Sequence, residues 1–177
     1  ATTGRIRRRG RLATPSLIVT LLAVAGMGFA VLQSSVAPAL SAIAAAMGAS
    51  TSATSWVLTA FLLSASVLTP ILGRLGDMIG KRRVLLLVLV MLSAGILVSA
   101  LASSLAVLII GRALQGAAGA ILPLSIGIVR DELPEQRVGV TVGLLSAVSG
   151  IGAGIGIVTA GPIVDHLGWN WLFWIPL

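Results

Sequence analysis

Apolar residues in this chain gather into long unbroken runs instead of alternating with polar ones. The runs cover residues 16–40, 56–72, 84–101, 105–129 and 138–161, and another begins at 171 and continues to 177. Each of the first five is about the length a helix needs to cross a hydrocarbon core of roughly 30 Å. No segment alternates with period two, which argues against a β-barrel. The pattern predicts an all-α polytopic transmembrane bundle, with five complete spans and the start of a sixth, behind a basic tail over residues 1–15. A start at Ala1 and a stop at Leu177, inside an apolar run, fit a fragment of a longer chain.

Composition sharpens this reading. The chain has 177 residues, of which 57% are hydrophobic and 10% charged. A soluble domain carries about a quarter charged residues, so lipid is the solvent that suits this surface. The net charge of +7 raises the question of nucleic acid. Most of the bases, however, sit in the tail (Arg5, Arg7, Arg8, Arg9, Arg11) and between two apolar runs (Arg74, Lys81, Arg82, Arg83). That distribution forms no basic face with aromatic platforms, and nucleic acid is not an expected partner. It follows instead the positive-inside pattern, because charged and uncharged connections alternate along the chain. The N-terminus and the connections at 73–83 and 130–137 are therefore assigned to the cytoplasm of a cell, in a plasma or bacterial inner membrane. The first run is longer than the apolar core of a signal peptide and reads as a retained span. The chain has no Cys and a single His, His166, so neither thiolate nor histidine-cluster metal sites are expected.

Two segments carry chemistry. The first is Gly73-Arg74-Leu75-Gly76-Asp77-Met78-Ile79-Gly80-Lys81-Arg82-Arg83. Two antiparallel spans need a tight reversal here, and Gly73, Gly76 and Gly80 permit close approach and unusual dihedrals. Asp77 and Lys81 are four apart and would meet on a helical turn. Plain topology accounts for bases at an inner surface; a charge network that locks one helix packing accounts for the acid and the glycines as well. The second segment is Leu108 to Ala120, where Arg112 lies about 10 Å along a predicted helix. A charge at that depth costs at least roughly 2.5 kcal/mol and should face the bundle interior or a wet cavity. Gln115, Gly116 and Gly119 share its face by their i+3, i+4 and i+7 spacing. Arg112 reads either as a functional charge or as a structural one that bonds neighbouring helices.

These two segments resemble the signature loop and the fourth-span arginine motif of the major facilitator superfamily, in particular its multidrug drug:proton antiporter branch. Gly73, Leu75, Asp77, Gly80, Lys81, Arg82 and Leu86 fall on the loop's positions, and Leu108, Arg112, Gln115, Gly116 and Ala120 on the arginine motif's. The resemblance implies the N-terminal half of a secondary transporter working by alternating access on a small-molecule substrate. It implies a gating role for Gly73, Asp77, Gly80, Lys81, Arg82 and Arg83, and a proton-coupling or cavity role for Arg112, Gln115 and Gly116. Gln33, with Ser34 and Ser35 in the outer half of the first span, would either join this cavity set or bond to neighbouring helices. Asp131 or Glu132 would be an additional partner for the loop. No catalytic residue and no cofactor is implied; the energy source would be a proton gradient. The missing C-terminal half would complete the bundle, with the outer loop before Trp169, Trp171 and Phe173 resembling the fourteen-span type.

The fifth span departs from the family. Gly150/Gly154 and Gly152/Gly156 are small-xxx-small pairs that favour helix packing. The family's Gly-Pro, however, falls here on Gly156-Ile157, with Gly161-Pro162 about five residues later. The middle of every run also lacks an acid, so a titrating carboxylate for coupling would have to come from elsewhere. A non-transporting scaffold or receptor of the same fold stays as the alternative. An intramembrane enzyme does not fit, because it would need a nucleophile and base or a metal cluster.

Overall fold

The computed structural model describes residues 15–177, so the basic tail lies outside the described residues. Among these residues the chain is helical, with no strand. Helix α1 spans Pro15–Val36, α2 spans Leu40–Met47, α3 spans Thr51–Thr54, and α4 spans Trp56–Ile79. They are followed by α5 (Lys81–Ala100), α6 (Leu105–Gln115), a 3-10 segment (Gly116–Ala120), α7 (Ile121–Glu132), α8 (Glu135–Leu167) and α9 (Trp171–Trp174). Five helical stretches are long and apolar enough to cross a membrane, the fourth being α6 through α7 taken together.

Helix ends differ from the ends of the apolar runs for identifiable reasons. The first run extends to residue 40, but α1 stops at Val36. Pro38 lacks an N–H and disfavours helical dihedrals at Ala37, so the chain turns there although it stays apolar. The second run ends at 72, yet α4 continues to Ile79. Arg74 and Asp77 change the solvent around the helix without breaking its backbone. The reversal expected across Gly73 to Arg83 is thus confined to Gly80, whose φ of 107° closes the turn between α4 and α5. A side chain is rarely tolerated at that φ. Helix α8 outruns its apolar core at both ends, starting after Pro134 and ending before Gly168. Its 33 residues make it about 50 Å long. Pro162 is accommodated inside it.

The bundle is organised as a helix pair beside a helix trio. Helix α1 packs along α8, while α4 and α5 pack on the fourth span, which also touches α1 and α8 through α7. Small residues set the distances. A Cβ on Gly95 would lie 2.8 Å from the carbonyl oxygen of Gly111, and one on Gly111 would lie 2.9 Å from that of Gly95, so α5 and α6 cross with backbones nearly touching. The 3-10 segment packs against α4, where a Cβ on Gly116 would meet Ser64 at 2.5 Å.

The four glycines singled out in the fifth span divide into two faces. Gly152 and Gly156 press on α1, at the carbonyl oxygens of Met27 and Val31. Gly150 and Gly154 have no neighbour within 4 Å of an added Cβ, so their small-xxx-small pair is not used within the described bundle. Gly156→Ala is accordingly expected to destabilise the natural full-length protein by about 1–3 kcal/mol, because overpacking forces two helices apart. Gly154→Ala is expected to be neutral. Thermal unfolding of the two variants in detergent compares them directly.

Candidate functional site

The centre of the site is Arg112, which is fully buried in the fourth span. It stands one turn before the 3-10 segment, where the helix tightens and Gly116 brings α4 close. Its Nε donates to the Val57 carbonyl oxygen at 3.2 Å, Nη1 to Gln115 Oε1 at 2.6 Å, and Nη2 to Gln33 Oε1 at 2.8 Å. The Phe61 ring lies 4.7 Å from the guanidinium carbon, a cation–π contact worth about 2 kcal/mol when desolvated. Phe29 stands beside Phe61, with centroids 6.1 Å apart. The cation is held by dipoles and a ring, with no carboxylate among its hydrogen-bond partners.

Gln115 extends this cluster across the bundle. Its Nε2 donates to the Gly95 carbonyl oxygen at 3.0 Å and to Ser99 Oγ at 2.8 Å. One connected polar cluster therefore reaches α1 through Gln33, α4 through Val57, and α5 through Gly95 and Ser99. Ser64 Oγ donates to the Ala113 carbonyl oxygen at 2.6 Å, a second tie between α4 and the fourth span. Arg112, Gln115 and Gln33, singled out by type and depth, are brought together, and Gly116 lies beside them. Val57, Phe61, Gly95 and Ser99 are additional. Val57 contributes only its backbone, which no sequence pattern marks, and Phe61 and Ser99 sit in runs whose periodicity is masked by lipid-facing apolar residues.

A second cluster lies at the other end of the fourth span. Lys81 Nζ sits 2.8 Å from Asp131 Oδ2 and 3.8 Å from Asp77 Oδ1. The expected i,i+4 partner is thus the more distant one, and the tighter bond crosses from α5 to α7. Arg82 pairs with Glu132 at 2.9 Å. Asp77 and Arg83 are exposed, and Arg83 makes no ion pair among the described residues. Gly73, half-buried in α4, lines a cleft of about 440 Å³ together with Asp77, Lys81, Arg130 and Asp131. Gly127 leaves room for the Lys81 stem, since a Cβ there would lie 2.7 Å from its Cδ. Two cross-helix ion pairs therefore bind the start of α5 to the end of α7. No group of His and carboxylates among the described residues could hold a metal ion.

Comparison with known proteins agrees with this architecture. Residues 17–177 match the Major Facilitator Superfamily. An uncharacterized MFS-type transporter of Mycobacterium tuberculosis is 37% identical over 174 residues, covering 96% of this chain and 25% of that protein. A multidrug transporter protein, MdtP, of Bacillus subtilis is 31% identical over 175 residues, or 98% of this chain and 32% of that protein. A uridine/deoxyuridine transporter of Lactococcus lactis is 33% identical over 161 residues, or 90% and 33%. The chain thus spans about a quarter to a third of the length of these relatives.

The two clusters should respond differently to salt. Asp131→Asn is expected to lower stability by under about 1 kcal/mol at low ionic strength and by nothing measurable near 1 M salt, because the pair is partly exposed. Gln33→Ala removes a bond to a buried cation and is expected to cost about 1.5–3 kcal/mol at either salt. Unfolding of the solubilised full-length protein at the two salt concentrations separates them.

Proposed function

This chain belongs to the major facilitator superfamily, and we propose that it is the N-terminal half of a secondary active transporter that works by alternating access in a cell membrane, with its N-terminus in the cytoplasm. The observation that carries this reading is the buried Arg112 bonded only to neutral groups. Tying helices together does not by itself call for a guanidinium there, since the charge costs several kcal/mol that neutral packing would not. A charge held by dipoles and a ring, without a counter-ion, is poised to respond to a proton, an ion or a charged group that arrives nearby.

The two ion pairs at the opposite end supply the second part of the mechanism. Lys81–Asp131 and Arg82–Glu132 are individually weak and partly hydrated, so they can be exchanged for other partners at small cost. Weak bonds are suited to a gate that opens and closes. Gly80 joins α4 and α5 in a tight hairpin, so the ion pairs at this end lie beside the turn between both helices. Alternating access also needs a second bundle, and the greater length of the relatives supports one in the C-terminal half of the full protein.

The substrate we propose is a hydrophobic or amphipathic small molecule, exported at the expense of a proton gradient. The Bacillus relative, a multidrug transporter by name, supports that class. The Lactococcus relative, a uridine/deoxyuridine transporter, favours a second reading in which the cargo is a polar solute. Proton coupling would use a carboxylate outside the described spans, which have no acid near their middle.

The test is movement of solute by the natural full-length protein in proteoliposomes, with a pH gradient imposed. Lipophilic dyes and uridine serve as alternative cargoes. Gradient-driven accumulation of one of them is expected, and Arg112→Ala should reduce it by at least about tenfold. Arg112→Lys should not restore it, because a single ammonium cannot reproduce the fork that bonds Gln33, Gln115 and Val57 together. A protein that moves no solute under any gradient would leave a scaffold or receptor of the same fold.

A further inference from the structure

Among the described residues, a single buried side-chain polar atom has no hydrogen-bond partner: the Oγ of Ser125, in α7. Ser125 is 2% exposed. In an apolar interior such a hydroxyl costs free energy unless something satisfies it. It lines a partly enclosed cavity of about 130 Å³ between α1, α7 and α8. The orphan hydroxyl therefore opens onto this cavity.

Water alone fits this cavity poorly. Its volume of about 130 Å³ is that of several waters at roughly 30 Å³ each, and an ordered water needs two to four polar partners. Besides Ser125 the lining offers only the Ser149 hydroxyl, which already donates to the Leu145 carbonyl oxygen at 2.9 Å. The other walls are apolar, among them Leu22, Phe29, Ile121 and Leu145. An apolar cavity of roughly 150 Å³ is large enough to hold a benzene ring. No Asp, Glu, Lys, Arg or His lines this one, so a charged group would enter without a counter-charge.

We propose that this cavity is a binding subsite for one uncharged ring bearing a single hydroxyl-type hydrogen-bonding group, with Ser125 as its polar anchor. Ser149 stands across the cavity as a second acceptor. Gly26 keeps the space open: a Cβ there would lie 3.2 Å from Ser149 Oγ. The Phe29 wall leads outward to Phe61, which carries the Arg112 guanidinium on its face. A ring in the cavity would therefore touch Phe29, the neighbour of the ring that supports the buried cation. The subsite deepens the transport reading and rests on it for its purpose, but binding can be read without any transport.

The probe is a benzyl alcohol that carries a diazirine, photolysed with the natural full-length protein in lipid nanodiscs; labelled positions are read by mass spectrometry. Label is expected on the segments around Phe29, Ser125 and Ser149. Benzyl alcohol should compete about fivefold better than toluene, after correction for partitioning into empty nanodiscs, as one neutral hydrogen bond allows. Benzoate and benzylammonium should not compete. Ser125→Ala should erase the advantage of benzyl alcohol while toluene still competes, and Ser125→Leu, which fills the space, should remove the label. Label elsewhere, unchanged label in Ser125→Leu, or an unchanged preference in Ser125→Ala would overturn the proposal; the Ala variant decides the matter if the Leu variant fails to fold. Specific label in a protein that moves no solute would support the subsite and sink the transport reading. Transport without label would sink the subsite alone.

Discussion

A guanidinium fully buried inside a bundle of membrane-spanning helices has no water to fall back on, and the rest of this bundle is arranged around that constraint. Arg112 needs acceptors from several directions at once. It takes them from Gln33 on α1, Val57 on α4 and Gln115 on its own helix, and Gln115 passes the connection to α5. Four helices are thereby held in one relative position by Arg112 and its partner Gln115. Nonspecific apolar contact would allow them to slide, because in lipid there is little hydrophobic preference for one packing over another.

The reach of those side chains is finite, so the helices must approach closely, and small residues make this possible. Gly95 and Gly111 bring α5 onto α6, Gly116 brings the fourth span onto α4, and Gly152 and Gly156 bring α1 onto α8. The 3-10 segment follows directly after Gln115, so the irregular backbone sits beside the polar cluster and is buried within protein. That is the setting in which a membrane protein tolerates irregular backbone. The ion pairs at the far end of the fourth span occupy a different physical regime. They are half-hydrated and weak, whereas the Arg112 cluster is dry and costly to disturb. A bundle that is rigid at its centre and exchangeable at one end is suited to rocking as a unit, which is what the proposed transport cycle asks of it.

Much of this was legible in the sequence because lipid imposes strong rules on composition. Span number and helical class follow from run length and from the scarcity of charge. The depth of Arg112, and the spacing that places Gln115 and Gly116 on its side, follow from helix geometry. Helix ends were less legible, because an apolar run marks where lipid is and not where the backbone turns; Pro38 and Gly80 set those points. The use of each glycine was not legible at all. Gly152/Gly156 and Gly150/Gly154 have the same spacing, yet the first pair presses on α1 and the second meets nothing in the described bundle.

By itself the sequence determined that the chain lives in a membrane as a helical bundle, and that it carries one costly buried charge and a basic reversal after the second span. These are properties of single helices in a given solvent, and local composition is enough to specify them. Only the tertiary structure decided who meets whom: that Lys81 takes Asp131 ahead of Asp77, that Phe61 and a backbone carbonyl serve Arg112, and that Ser125 is left unpaired beside a cavity. Each of these depends on the rotation of one helix against another. In a uniformly apolar helix that rotation leaves almost no trace in the pattern of residues, because the lipid face and the packed face are written in the same amino acids.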